Sequence, residues 1–232
     1  MLSYRKLAMR VLGRPLHTGG NDSPRPASQR VAAFVLTAAM LITLTAPAFA
    51  ETWYIENGDI TVKASVTEGK DTVSQGDKKD VEDTNTIITN QNKDKASSNT
   101  VTIEANGEND KVEVKLEDEN IDASSRSEAA VSVTGKGDTT IELDGDNELK
   151  SGADHAGLEH NKTDTSGELI IQDNNKDGGS LKATGGQFGA GIGGAGVNDA
   201  QVKITGGKIT ATGGEYGAGI GRSEERRVGK EC

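Results

Sequence analysis

Short runs in which aliphatic and polar residues alternate recur along the second half of the chain, and each run ends in a cluster of Gly, Asn or Asp. Thr140-Ile141-Glu142-Leu143 is followed by Glu148-Leu149-Lys150, Leu169-Ile170-Ile171 by Leu181-Lys182-Ala183, and Val202-Lys203-Ile204 by Ile209-Thr210-Ala211. Alternation over four or five positions predicts strands, and the clusters between them predict turns, including corners at positive φ where glycine costs least. An Ala-x-aliphatic signature separates the pairs: Ala129-Ala130-Val131, Ala156-Gly157-Leu158, Ala190-Gly191-Ile192 and Ala218-Gly219-Ile220, at intervals of 27, 34 and 28 residues. Each interval thus holds about three strands. Residues 181–194, LKATGGQFGAGIGG, return almost unchanged as ITATGGEYGAGIG at 209–221. A unit of this length cannot close a core alone, so neighbouring copies must stack and share one.

The expected fold is all-β, a parallel β-helix with three strands per coil, in which inward Val, Ile and Leu stack on their counterparts one coil away at about 4.8 Å. Val112-Glu113-Val114-Lys115-Leu116 followed by Ile121-Asp122-Ala123 has the same shape and starts a coil. Trp53-Tyr54-Ile55 and Ile60-Thr61-Val62 flank the turn sequence Glu56-Asn57-Gly58-Asp59 and open or cap the solenoid. Residues 68–99 offer few inward candidates. The organisation read from the chain is therefore irregular or capping coils over 51–110 and repeats over 111–221. It makes about six coils and a rod roughly 30 Å tall.

Both ends differ from this body. Arg5, Lys6, Arg10, Arg14, Arg25 and Arg30 precede an apolar run over 31–44, and Ala48-Phe49-Ala50 closes it. That tripartite pattern predicts a secretory signal peptide over 1–50, because the run is short of the roughly 20 residues a membrane span needs. At the other end, residues 222–232, RSEERRVGKEC, break the repeat in the middle of a glycine motif. The string resembles the translation of a common short-read sequencing adapter. The expectation is an adapter-derived artefact there, with the intact gene continuing beyond residue 221.

Setting the ends aside changes the composition. The leader holds six basic residues and one acidic, the tail four and three; the chain between them keeps 16 basic against 32 acidic, a net charge of −16. So acidic a surface argues against nucleic acid and anionic lipid as partners. The one cysteine, Cys232, lies in the tail. The mature segment therefore has no disulfide, thiolate metal site or cysteine nucleophile, which suits an exported fold held by its ladder alone.

The rungs VEVKLEDENIDASS, AAVSVTGKGDTTIELDGDNELKSG, GELIIQD and GSLKATGG resemble the carbohydrate-binding parallel β-helix domains of secreted bacterial proteins. The ATGG-x-x-GAGIGG blocks look like the glycine-rich repeats of large surface proteins in gut Firmicutes. The resemblance covers about half of the mature chain and rests on rung spacing and glycine placement. It implies a right-handed β-helix, extracellular display, polysaccharide binding and, in some relatives, bound calcium.

Several motifs carry possible chemistry. Gly189 to Gly194 satisfies G-x-G-x-x-G, but dinucleotide binding needs a strand before it and a helix after. No helix is expected there, so the glycines are structural corners. Asp173, Asn175 and Asp177, followed by Gly178, match the first half of a calcium loop. The twelfth position is Thr184 rather than a bidentate Glu, which leaves a simpler calcium site or a polar turn. Asp144, Asp146 and Glu148 read as a turn. Phe188 and Tyr216 occupy equivalent positions in successive repeats, and aromatic faces can hold sugar rings or pack inward. His155 and His160 read as solvated turn residues, and nothing in the sequence ties Arg126, the one mature arginine, to an acidic cluster. The expected function is an extracellular carbohydrate-binding or adhesin-like module that binds polysaccharide or a cell-surface glycan, is not an enzyme, and inserts in no membrane once its signal is cleaved. The alternatives are a polysaccharide lyase or hydrolase on the same scaffold, and a passive stalk.

Overall fold

A computed structural model describes residues 50–221 apart from 68, 177 and 197, all within the compact unit Pro47–Cys232. The leader over 1–49, Asp177 of the calcium motif and the tail over 222–232 lie outside the described residues. The alternating runs form strands, and the strands stack in parallel into a three-sided solenoid.

The first side is a six-stranded sheet of β1 (Thr52–Tyr54), β5 (Thr86–Thr89), β7 (Lys111–Glu117), β10 (Asp138–Asp144), β13 (Leu169–Gln172) and β16 (Val202–Ile204). The second has four: β8 (Asn120–Asp122), β11 (Asp146–Lys150), β14 (Ser180–Thr184) and β17 (Lys208–Thr212). The third contains β2 (Ile60–Ala64), β6 (Val101–Ala105), β9 (Val131–Gly135), β12 (Leu158–His160), β15 (Ile192–Gly193) and β18 (Ile220–Gly221). Six coils were expected, and two sides are six strands deep. Only four coils are complete, because the first pass turns through a 3-10 segment, Ile55–Asn57, and the second touches the middle side only where Ser97 bridges Ile121.

Register explains the core. Ile60, Val101, Val131, Leu158, Ile192 and Ile220 form one row along the axis. Ile121, Leu149, Ala183 and Ala211 form another. Parallel strands with a period of two place every second residue inward, so a row six coils deep needs only one aliphatic per coil. Rows in the middle of the stack are fully buried, as at Val131, Leu158 and Ile192.

The glycine block has a physical cause in the same stacking. A Cβ on Gly186 would collide with the Gly152 carbonyl, and one on Gly214 with the Gly186 carbonyl. Neither has a positive φ. Close approach of one coil corner to the next, more than left-handed backbone, selects glycine here. No helix follows Gly189 to Gly194 among the described residues, and Ile192–Gly193 is itself a strand, so the block is a set of coil corners.

The region over 68–99 carries strands after all. β3 (Asp71–Gln75) pairs antiparallel with β2, and β4 (Lys78–Asp83) pairs antiparallel with β3. Asp71, Val73 and Gln75 point inward, although two of them are polar. Trp53 is buried against this meander, and its indole N–H donates to Asp83 Oδ2 at 2.8 Å.

Candidate functional site

Along the first side, outward residues of successive coils fall into a row, Glu113, Thr140 and Ile170, because their strands pair in register. Two loops rise beside that row. One joins β2 to β3 and is closed by Lys70 N–H donating to the Thr67 carbonyl at 3.2 Å and by Lys70 Nζ on Glu82 at 2.8 Å. The other precedes β7, where Gly107 N–H donates to Asp110 Oδ2 at 2.7 Å. Between them lies a groove of about 1260 Å³ that crosses three coils. Its lining mixes carboxylates, amides, hydroxyls and aliphatic side chains, among them Asn85, Asn109, Asp138, Thr140, Val112 and Ile170.

At the edge of this groove sits Asp71, 7% exposed. Burial pushes its carboxyl up to about 7; the Glu113 backbone N–H opposes this, while the charges of Asp83 and Glu113 add to it. The strand beneath β7 reaches only part of it: β5 pairs with Val114 through Glu117. The Asp71 carboxylate therefore meets a backbone N–H that no neighbouring strand covers, the ordinary reason for a polar residue at such an edge. Sequence patterning offered no signal for this groove, since the outward faces of β7, β10 and β13 form only its floor and the turns beside them close it.

Phe188 and Tyr216 are both exposed rather than packed inward, and the two rings stack with centroids 5.1 Å apart and planes 14° from parallel. Each ring gives one face to the other. A sugar would meet the remaining face of Tyr216 or the ring edges. A smaller hollow of about 490 Å³ lies beside Tyr54, where Lys78 sits 4.9 Å above the Trp53 ring.

The calcium motif is placed only in part. Asp173 Oδ1 is buried and has no hydrogen-bond partner, a donor oxygen left over. Asn175 is exposed, and the backbone N–H groups of Asn174 and Asn175 donate to Glu142 Oε1 at 2.7 and 3.3 Å. Glu142 anchors this turn, which spacing alone could not indicate. Among the described residues no three His, Cys, Asp or Glu side chains converge as a metal site. The second acidic cluster, expected as a turn, lies on strands instead: Asp144 ends β10 and pairs with Lys115, while Asp146 and Glu148 belong to β11, where Ser180 Oγ donates to Asp146 Oδ1 at 2.7 Å and Lys182 meets Glu148 at 2.8 Å.

Two further expectations are corrected. His160 is not a solvated turn residue: it occupies the core row after Val62, Ile103 and Val133, is 2% exposed, and has Nε2 at 2.9 Å from the Gly167 carbonyl. His155 is part-exposed, with Nδ1 2.8 Å from Glu159 Oε2. Arg126 is tied to acids, with Nη1 2.8 Å from Asp59 and Nη2 2.6 Å from Glu128. Burial alone would raise the Asp59 carboxyl, but the Arg126 guanidinium and the Thr100 N–H outweigh it and hold Asp59 below the usual range.

No family model matches the chain, and no curated protein or solved structure matches it. Among the described residues no helix is long and apolar enough to cross a membrane.

Proposed function

We propose that the chain is an extracellular carbohydrate-binding or adhesin-like module, displayed after export, that holds a polysaccharide or cell-surface glycan without cleaving it. The observation that carries this reading is the groove. It is long, open to solvent, and lined by hydroxyl, amide and carboxylate groups over aliphatic side chains, which suits a chain of hydroxylated rings with apolar C–H faces. Tyr216 adds an exposed ring on the same solenoid. The acidic balance disfavours nucleic acid. Calcium enters only as a possible ligand of Asp173, Asn175 and Asp177, where the unpartnered Asp173 Oδ1 is the supporting feature.

Retention of the purified, folded protein on insoluble cellulose, pectin and mucin, with calcium and with chelator, tests this. Selective retention is expected, and Thr140→Ala together with Glu113→Gln should weaken it about tenfold, equivalent to roughly 1.4 kcal/mol. Failure of a folded sample to bind any of these glycans would remove the proposal and favour the stalk. A hydrolase reading has one observation in its favour: Asp71, a carboxyl whose proton is retained to about pH 7, stands beside Glu113 at a groove. Release of new reducing ends, abolished by Asp71→Asn, would replace binding by turnover.

A further inference from the structure

The last coil, made of β16, β17 and β18, presents core residues to solvent. Ile220 is 51% exposed where Ile192, its partner in the same row, is fully buried. Ile204 is 39% exposed where Ile171 beneath it is fully buried. All three strands of this coil pair on one side only, since each stands last in its sheet among the described residues.

What fits that face is defined by the repeat. The preceding coil carries the same block, and its free side is already filled. Residues 208–212 pair with 180–184 in unbroken register, Ile220 and Gly221 with Ile192 and Gly193, and Val202 to Ile204 with Leu169 to Ile171. The Tyr216 ring lies on Phe188, and Gly214 seats against the Gly186 carbonyl. Because 209–221 repeats 181–194, the far side of the last coil offers the same strand spacing, the same aliphatic rows and the same glycine seats. Local crowding shows which positions are already in use. A Cβ on Gly193 would collide with Gly221, and one on Gly191 would lie 2.5 Å from Thr212 N. Among the described residues nothing lies within 4 Å of the equivalent Gly221, and only Ala211 lies that close to Gly219.

We propose that this face is a coil-accepting interface whose partner is a further polypeptide coil of the same glycine repeat. The occupant must pair three strand edges at once around a three-sided outline, continue the Ile192–Ile220 row, and place a small residue over the Gly214 carbonyl. A coil of the ATGG-x-x-GAGIG type meets all three demands, as the coil already docked demonstrates. An aromatic in the Phe188 and Tyr216 position would then extend the ring stack.

The test inserts a duplicate of residues 194–221 directly after Gly221 in the full chain. Amides of β16 to β18 should gain at least about tenfold protection from hydrogen exchange, and binding of a hydrophobic dye should fall. A control duplicate carrying Ile220→Asp and Ala211→Asp should give neither effect, which separates docking from the mere presence of extra chain. A duplicate that leaves exchange and dye binding unchanged would overturn the proposal. So would a concentration-dependent dimer of the unextended protein that Ile220→Asp abolishes while the duplicate stays unprotected, since the face would then belong to a second copy.

Discussion

At the N-terminal end of the solenoid many free backbone groups are met by side chains, although β1 and the polar, mostly exposed β4 still stand last in their sheets. Asp83 accepts the Trp53 indole N–H and the Glu51 backbone N–H, while Gln75 Nε2 donates to the carbonyls of Tyr54 at 2.7 Å and Gly58 at 2.9 Å. Glu56 accepts the N–H groups of Gln91 and Asn92, and Asn90 Oδ1 accepts that of Asn120 at 2.6 Å. An antiparallel meander, β2 to β4, adds Val73 to the core. At the other end β17 is exposed or half-exposed along its whole length, and Ile204 and Ile220 stand in solvent. A cap has to differ from the repeat, because it must satisfy one set of edges without offering another. The last coil does not differ from the repeat, so it reproduces the surface on which it is itself seated. Sheet edges left in that condition invite pairing.

The largest expected effect lies in the cap. Trp53→Ala removes a fully buried indole and leaves the Asp83 carboxylate short of a donor, so it should cost about 5 kcal/mol by denaturant titration. Tyr216→Ala at the open end should cost less than about 1 kcal/mol. Comparable losses for the two would break the contrast between the ends.

Next is pH. Glu119 is buried in the lumen with neither carboxylate oxygen hydrogen-bonded, and burial, with the nearby Glu56 charge, pushes its carboxyl up to about 8. A carboxyl raised on folding keeps its proton in the native state while the unfolded chain loses it. Stability is then full below the ordinary carboxylate range and declines as pH rises towards 8, by roughly 4 kcal/mol. Asp71, raised to about 7, adds to this in the same direction. Thermal unfolding from pH 4 to 9 should show that decline, and Glu119→Gln should flatten most of it. A midpoint that rises with pH in this window would contradict the assignment.

The finest comparison uses one core row. Ile192→Ala should cost about 3 kcal/mol and Ile220→Ala less than about 1 kcal/mol, although the two side chains are equivalent in sequence. In the protein extended by a duplicate coil the Ile220→Ala cost should approach that at Ile192.

The rungs were readable from sequence because a period of two states directly which residues face inward, and the glycine block because it occurs twice. The aromatic stack follows from the same repetition: Phe188 and Tyr216 sit at equivalent corners, and equivalent corners lie one coil apart. The cap was not readable. β4 has the sequence Lys78-Lys79-Asp80-Val81-Glu82-Asp83, with no alternation to mark it, and its purpose appears only when Asp83 meets Trp53 thirty residues away. Glu119 was hidden for a related reason. It lies within the acidic run Glu117-Asp118-Glu119, where no aliphatic alternation marks an inward position; only the pairing of Asn120 with Glu148 fixes its neighbour as Asn147 and turns it inward. His160 shows the same limit, since an inward position is visible only once Val133 is known to lie beneath it.

Hydrogen exchange of the native protein, resolved strand by strand, tests the contrast between the ends most directly. Amides of β2 and β6, beneath the cap, should exchange only through global unfolding, while those of β16, β17 and β18 should exchange through local opening, at rates higher by about a hundredfold or more. Equal protection at the two ends would mean that the last coil is already closed, and the account of an open, coil-accepting face would fail.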